Sequence, residues 1–144
     1  MDRVTRRVAL IVEDDPSLQQ SVRKRLVEMR FDVLSALDYQ SAVKQLEHTP
    51  DAKKPDIVLV DLGLPRESGY ELCEHIRRQQ HLVYVPILVI SERNFPEDMA
   101  HAEEAGANAF LKKPFTMQRL TKYIEALLDG PHASRPSVRR LRIQ

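Results

Sequence analysis

Acidic, hydroxyl and lysine side chains, which can take part in catalysis or bind a metal ion, follow four short apolar runs of this sequence, at the point where each run ends. They are Glu13, Asp14 and Asp15 after the first run, Asp61 and Ser91 after two later runs, and Lys113 with Pro114 after the last. Apolar runs of this kind are typical of strands in a parallel sheet that is covered on both faces. Because such a sheet binds ligands at the carboxyl ends of its strands, we expect these side chains to share one site.

The types of these residues indicate phosphoryl chemistry with a divalent cation. Glu13, Asp14 and Asp61 would bring like charges together, which is unfavourable unless a cation lies between them. Mg²⁺ suits such a place, because it prefers one or two carboxylates together with water and a phosphate oxygen. Lys113 adds a compact positive charge, and Ser91 adds a hydroxyl donor. These groups together are the ones that stabilise a phosphoryl group during its transfer to an aspartate.

Each of these residues also has a simpler interpretation. An acidic run after a strand is usually a solvated loop, and Asp15 is a typical helix N-cap. Asp61 could form a turn, and Ser91 could cap a helix. Lys113 could be an ordinary surface charge. One such group at each strand end, all on the same edge of the predicted sheet, favours the shared site over the separate interpretations.

Five apolar runs alternate with amphipathic segments, which predicts an α/β fold of five βα units around a doubly wound parallel sheet. The runs are Val8–Val12, Val33–Leu34, Ile57–Val60, Pro86–Ile90 and Ala109–Leu111. Helical spacing predicts inward faces on five helices. These faces are Leu18, Val22, Leu26 and Met29; Tyr39, Ala42, Val43 and Leu46; Leu72 and Ile76; Met99, Ala102 and Ala105; and Leu120, Tyr123, Ile124 and Leu127. The predicted helix ends are Asp15, Ser68 with Glu71, and Thr116 as N-caps, and Gly106 as a C-terminal stop.

Composition and charge limit the class of protein. The chain has 144 residues, a net charge of +1, 42% hydrophobic residues and 30% charged residues, which is typical of one globular domain. Residues 129–144 carry four Arg and one Asp among Pro and Ser, so we expect a domain over 1–128 and a basic tail or linker over 129–144. That tail could begin an output domain, bind a partner or be a solvated end. Residues 1–128 carry a net charge of −2, which does not favour nucleic-acid binding by this chain alone.

Membrane association and secretion are not indicated. No apolar run reaches the roughly 20 residues of a membrane span. The run that follows the polar residues 1–7 is too short for the core of a signal peptide. Cys73 is the single cysteine, on the inward side of a predicted helix, which favours a packed thiol and a reducing compartment. We therefore expect a cytoplasmic protein.

From residue 8 to about residue 128 the sequence resembles the response-regulator receiver domains of two-component signalling. The resemblance rests on Ile11–Pro16, Asp61–Pro65 with Gly69, Ile90–Ser91, and Gly106–Phe115. It implies a flavodoxin-like (βα)5 fold with five parallel strands in the order 2-1-3-4-5. It also implies a phosphorylation switch that controls a downstream output, and no enzymatic activity beyond the chain's own phosphorylation and dephosphorylation.

The resemblance implies roles for the residues that match the family. Asp61 is the phosphoacceptor, and a sensor histidine kinase or a phosphotransfer protein supplies the phosphoryl group. Ser91 and Lys113 contact the phosphoryl group, and Ser91 and Phe110 change conformation with it. The peptide bond between Lys113 and Pro114 is implied to be cis. The face formed by helix 4, strand 5 and helix 5 is a possible homodimer surface.

The resemblance also implies Mg²⁺ as the cofactor and a set of ligands for it. Asp14 and Asp61 bind the ion through their carboxylates, and the backbone carbonyl of Gly63 completes the protein ligands. Glu13 assists through a water molecule. A magnesium-dependent phosphatase or phosphotransferase that acts on small molecules is an alternative hypothesis. The DxDx[TV] motif and a glycine-rich phosphate loop are missing from the sequence, which does not favour it.

Two residues depart from the family pattern. Glu92 follows Ser91, where the family usually has a small residue, and its carboxylate would add repulsion and crowd access to a phosphoryl group. Phe110 lacks the hydroxyl of the commoner tyrosine. Glu92 therefore supports an alternative function, a pseudo-receiver that acts as a protein-interaction module independently of phosphorylation.

Overall fold

Five parallel strands form one central sheet in the computed structural model, which describes residues 6–47, 54–64, 66 and 68–129. The strands are β1 (Val8–Val12), β2 (Asp32–Ala36), β3 (Ile57–Asp61), β4 (Ile87–Ser91) and β5 (Ala109–Lys112). Their order is β2-β1-β3-β4-β5, and each neighbouring pair is parallel. The predicted doubly wound, flavodoxin-like α/β fold with strand order 2-1-3-4-5 is therefore confirmed.

Helices cover both faces of this sheet. They are α1 (Pro16–Glu28), α2 (Tyr39–Leu46), α3 (Gly69–Arg78), α4 (Pro96–Glu104) and α5 (Met117–Asp129), with a short 3-10 helix at Gln80–Leu82. In β1, Leu10 and Val12 pack in the layer with α2, α3 and α4, whereas Ala9 and Ile11 pack in the layer with α1 and α5. Because both faces are covered, β1, β3 and β4 are buried along their whole length, which explains their continuous apolar runs.

The predicted helix ends are present, and they fix how each loop leaves the sheet. Asp15 accepts a backbone hydrogen bond at the start of α1, and Thr116 does the same before α5. Ser68 and Glu71 form the predicted capping box of α3. Gly106 follows α4 with a φ of 110°, a backbone conformation that favours glycine.

Residues of the predicted inward faces of the helices are buried in the hydrophobic core. Val22 and Leu26 of α1 are fully buried, as are Leu72 and Ile76 of α3. Cys73 is fully buried as well, and burial raises the pKa of its thiol to about 12, so the predicted packed thiol is confirmed.

The last described helix reaches slightly past the predicted end of the domain. Helix α5 ends at Asp129, one residue beyond the predicted boundary at 128. The rest of the predicted tail, residues 130–144, lies outside the described residues. In the part of the chain that the structure describes, the helices are all too short or too polar to cross a bilayer.

Gly69 lies where α3 begins, against the backbone at the end of β3. A Cβ at this position would meet Asp61 O at 2.5 Å and Leu62 Cα at 2.7 Å, and neither backbone atom can move aside easily. We expect Gly69→Ala to lower the free energy of unfolding by about 1–3 kcal/mol, measured by urea denaturation.

Gly63→Ala is the matched control for this change. A Cβ on Gly63 would meet Asp61 Oδ1 at 3.6 Å, an ordinary van der Waals distance. Its free energy of unfolding should stay within about 0.5 kcal/mol of the wild type. Equal losses in the two variants would contradict the close approach of α3 to β3.

Candidate functional site

The ends of four strands line one cleft at the carboxyl edge of the sheet. In the strand register, Asp61 lies beside Ile90 and Ser91 lies beside Lys112, so the polar residues that end the strands are neighbours. The cleft has a volume of about 530 Å³. Its lining residues are Glu13, Asp14, Asp15, Asp61, Leu62, Gly63, Tyr70, Ser91, Glu92, Arg93, Asp98, His101 and Lys113. Every predicted site residue except Phe110 therefore lies in this cleft.

Lys113 is the cation at the centre of the cleft. Its Nζ donates a hydrogen bond to Asp61 Oδ2 at 3.2 Å and forms an ion pair with Glu13 Oε1, also at 3.2 Å. Burial lowers the pKa of Lys113, but the carboxylates of Asp61 and Glu13 outweigh this, so that its pKa is raised overall. The ammonium group is thus held in its charged form between two acidic side chains.

Glu13 is the most deeply buried acidic residue of the cleft. Its side chain has no exposed surface, and its Oε2 accepts a hydrogen bond from Asp15 N at 3.1 Å. Lys113 meets Oε1 as an ion pair, and among the described residues Oε1 has no partner with hydrogen-bond geometry. Burial, followed by the neighbouring Asp61 carboxylate, raises the pKa of Glu13 to about 7. This side chain is therefore short of positive charge and of hydrogen-bond donors.

Three carboxylates in the cleft are close enough to share one cation. Glu13, Asp14 and Asp61 each offer an oxygen, and these oxygens lie within 4.8 Å of one another. Asp61 is 5% exposed, whereas Asp14 is open to solvent. Gly63 N donates a hydrogen bond to Asp61 Oδ1 at 3.0 Å, which fixes the aspartate against the loop after β3. Oxygen ligands of this kind suit a hard divalent cation.

One wall of the cleft was not predicted from the sequence. Tyr70 of α3 stacks on His101 of α4, with ring centroids 3.7 Å apart and an angle of 10° between the planes. Asp98 of α4 is buried in the same wall. The position of Asp98 two residues after Pro96 could have suggested a helix N-terminus. No sequence signal linked it to Tyr70, because the two helices meet only through the tertiary fold.

The family model of the response regulator receiver domain matches residues 9–125 of this chain. The chain belongs to the response regulator receiver domain family. It is therefore a protein of two-component signal transduction, as the resemblance in the sequence implied.

Individual relatives agree with this assignment. The receiver domain is 33% identical over 123 residues to the sensory transduction protein BceR of Bacillus subtilis, a match that covers 85% of this chain and 50% of BceR. It resembles the structure of the chemotaxis protein CheY4 of Vibrio cholerae with a TM-score of 0.80 and 26% identity, over 86% of this chain and 100% of the CheY4 chain. The chain spans about half the length of the curated relatives it matches.

A third relative was solved with a metal ion. The receiver domain of the sensor histidine kinase PA1611 from Pseudomonas aeruginosa has a magnesium ion coordinated in its active site cleft. This chain resembles it with a TM-score of 0.77 and 27% identity, over 88% of this chain and 100% of the other. The matched part of this chain includes the strands that position the acidic cluster of Glu13, Asp14 and Asp61.

Ser91 and Phe110 occupy different surroundings in this receiver domain. Ser91 is 4% exposed in the cleft, and its Oγ accepts a hydrogen bond from Arg93 N at 3.0 Å. Phe110 is buried in the apolar layer beneath α2, α3 and α4, outside the cleft lining. The predicted conformational changes of both residues stay predictions.

The predicted cis peptide between Lys113 and Pro114 is present.

Glu92 lies at the opening of the cleft. Its side chain is exposed and lines both the cleft and a neighbouring pocket that includes Lys113 and Phe115. The receiver domain therefore carries an exposed acidic side chain in the lining of the cleft that contains Asp61.

The raised pKa of Glu13 predicts how stability depends on pH when no divalent cation is present. Below about pH 4.5 the residue is protonated in both the folded and the unfolded chain and has no effect. Between about pH 4.5 and pH 7 only the unfolded chain ionises, so folding takes up a proton and stability falls as the pH rises. Because the pKa rises from 4.5 to about 7, the total loss should be about 3 kcal/mol.

The variant Glu13→Gln removes this proton uptake and is the comparison for the pH series. Urea unfolding of both proteins in a chelating buffer between pH 4 and pH 8 measures the difference in slope. We expect the variant to gain stability relative to the wild type as the pH rises. Parallel pH profiles would contradict the assignment of a desolvated Glu13.

Proposed function

We propose that this chain is the phosphoacceptor switch of a two-component system, and that a sensor histidine kinase or a phosphotransfer protein phosphorylates it on Asp61. The observation that carries the proposal is the 3.2 Å contact between Lys113 Nζ and Asp61 Oδ2 inside the cleft. Ser91 lines the same cleft, where the carboxylates of Glu13 and Asp14 form an acidic cluster with Asp61. A lysine, a hydroxyl and an acidic metal site around one aspartate suit the formation of an acyl phosphate.

In the proposed reaction the phosphorus–nitrogen bond of a phosphohistidine breaks and a phosphorus–oxygen bond to Asp61 forms. The donor imidazole leaves with the electron pair of the broken bond. The new phosphoryl group adds roughly one to two negative charges and three acceptor oxygens. Lys113 and Ser91 are groups of the cleft that can donate hydrogen bonds to these oxygens. The chemistry acts on the chain's own Asp61, so we propose a switch and not an enzyme for a separate substrate.

The acidic cluster fits Mg²⁺ as the resident cation. The carboxylate oxygens of Glu13, Asp14 and Asp61 lie within 4.8 Å of one another. The buried Glu13 Oε1 is paired with Lys113, but among the described residues it has no partner with hydrogen-bond geometry. The PA1611 receiver domain, which has this fold, holds magnesium in its cleft. We propose that Asp14, Asp61 and the Gly63 carbonyl hold the ion and that Glu13 acts through water. Bound there, the cation neutralises negative charge on the acceptor and on the phosphoryl oxygens.

The proposed output is a shift between two conformations of the face made by α4, β5 and α5. Ser91 ends β4 beside β5, and Phe110 packs beneath α4, so movement of Ser91 toward a phosphoryl group can bias both elements. Among the exposed charges, Glu97 and Glu104 belong to α4, and Arg119 and Lys122 belong to α5, which also exposes Glu125. We propose that two copies of the chain pair through this face, with the cations of α5 meeting the acidic residues of α4 in the second copy.

The phosphoacceptor proposal predicts covalent labelling by a small phosphodonor. Incubation of the wild type with acetyl phosphate and Mg²⁺ should add one phosphoryl group, seen by intact-mass analysis. Asp61→Asn should remain unlabelled, and a chelator should abolish labelling of the wild type. An unlabelled wild type, or equal labelling of Asp61→Asn, would contradict the proposal.

Glu92 supports a second candidate function, a pseudo-receiver that binds a partner without being phosphorylated. Its exposed carboxylate at the opening of the cleft repels an approaching phosphodonor and the phosphoryl group itself. The acidic cluster and Lys113 would then serve only to hold the fold and to bind a cation. Absence of labelling in the experiment above would favour this function.

Glu92 also predicts a slow reaction with anionic donors in a competent receiver domain. We expect Glu92→Gln to accept phosphate from acetyl phosphate about two- to fivefold faster than the wild type, with a larger difference at low salt. Glu97→Gln is the matched control, because Glu97 is exposed on α4 but does not line the cleft. The same rate change in both variants would show that overall charge, and not the position of Glu92, sets the rate.

A further inference from the structure

Asp98 is a buried carboxylate that the proposed reaction does not use. Among the described residues, the buried acidic side chains are Glu13, Asp61 and Asp98. The first two meet Lys113, whereas Asp98 lines the same cleft from the first turn of α4. Its ionic partner is Arg93, whose side chain is 69% exposed. Asp98 is only 8% exposed, and an ion pair with a solvent-exposed arginine is weak. The carboxylate therefore needs other hydrogen-bond donors to offset its desolvation.

These donors come from the loop between β4 and α4 and from helix α3. Phe95 N donates to Asp98 Oδ2 at 3.2 Å, and Arg93 Nε donates to the same oxygen at 3.4 Å. Tyr70 Oη donates toward the carbonyl and Oδ1 of Asp98, at 3.3 and 3.5 Å. Asp98 therefore joins three parts of the chain: α4 itself, the loop that follows Ser91, and α3.

Arg93 links this carboxylate to the serine of the proposed reaction. Its backbone N donates to Ser91 Oγ at 3.0 Å, and its guanidinium contacts Asp98. The hydrogen bond from Arg93 N occupies one lone pair of the serine oxygen. It therefore limits the directions in which the hydroxyl proton can point. Asp98 accepts hydrogen bonds from Arg93 Nε and from Phe95 N, so it holds the loop that carries this donor to Ser91.

Tyr70 supports Asp98 from the neighbouring helix. Its ring stacks on His101, one helical turn after Asp98, at 3.7 Å between centroids. Burial, followed by the charge of Asp98, raises the pKa of the Tyr70 hydroxyl, so that it remains a donor at neutral pH. The stack places this hydroxyl on Asp98 at the rim of the cleft.

We propose that Asp98, supported by Tyr70, is a positioning residue that sets the Ser91 hydroxyl, through Arg93, to receive the phosphoryl group on Asp61. The inference rests on the proposed function, because it assigns a task to residues around the proposed acceptor. It differs from a simple role of Asp98 in capping α4. Loss of a cap lowers stability, whereas loss of positioning lowers the affinity of the cleft for a phosphoryl group only while Ser91 is present.

The test is calorimetric binding of beryllofluoride, a mimic of the acyl phosphate, in the presence of Mg²⁺. We expect Asp98→Asn to bind it about three- to tenfold more weakly than the wild type, and Tyr70→Phe, which keeps the ring, about two- to threefold more weakly. Binding of Mg²⁺ alone should be unchanged in both variants. Tyr123→Phe is the matched control, because Tyr123 is buried in α5 with its hydroxyl bonded to Arg119, away from the cleft.

A double-mutant cycle with Ser91→Ala separates positioning from structure. In the Ser91→Ala background, Asp98→Asn and Tyr70→Phe should cause no further loss of beryllofluoride affinity. An equal further loss there, or unchanged or tighter binding by the single variants, overturns the inference while the proposed function stands. If the wild type does not bind beryllofluoride with Mg²⁺, the proposed function is wrong and the inference is overturned with it.

Discussion

A single lysine faces two buried carboxylates at the carboxyl edge of the sheet. Lys113 lies 3.2 Å from an oxygen of Glu13 and 3.2 Å from an oxygen of Asp61, and both acids are almost entirely removed from solvent. One ammonium group cannot balance two carboxylates in a desolvated place. Burial, followed by the neighbouring Asp61 carboxylate, raises the pKa of Glu13 to about 7. A divalent cation can offset this excess of negative charge, and the proposed phosphoryl group, itself an anion, needs that cation beside it. The proposed chemistry therefore follows from this charge arrangement.

The fold maintains this unfavourable arrangement through the register of its strands. Asp61 and Ser91 end strands whose other residues are fully apolar, with helices packed on both sides. The core therefore fixes the strand ends, and the capped helices fix where the loops leave them. Gly69 shows how little freedom remains, because a single methyl group there would collide with the backbone of Asp61. Stability gained from burial in the sheet offsets the cost of the acidic cleft.

The sequence was sufficient for the features that depend on local patterns. Apolar runs and capping residues predicted the strands and helices, and polar residues at strand ends predicted one shared cleft. The wall formed by Tyr70, Asp98 and His101 could not be predicted in this way, because helical spacing shows which residues face inward but not which helices meet. The full burial of Glu13 was also inaccessible, since an acidic run after a strand is usually solvated. Both features arise from packing between segments that are distant in the chain.

The most direct test of the phosphoacceptor account is a crystal structure of this receiver domain grown with Mg²⁺ and beryllofluoride. The account predicts beryllofluoride on a carboxylate oxygen of Asp61, with Ser91 Oγ and Lys113 Nζ hydrogen-bonded to its fluorine atoms. It also predicts a metal ion held by Asp14, Asp61 and the Gly63 carbonyl, with Glu13 acting through water. A cleft that contains the metal but no beryllofluoride would contradict the phosphoacceptor role and favour the pseudo-receiver. Beryllofluoride bound away from Asp61 would contradict the account altogether.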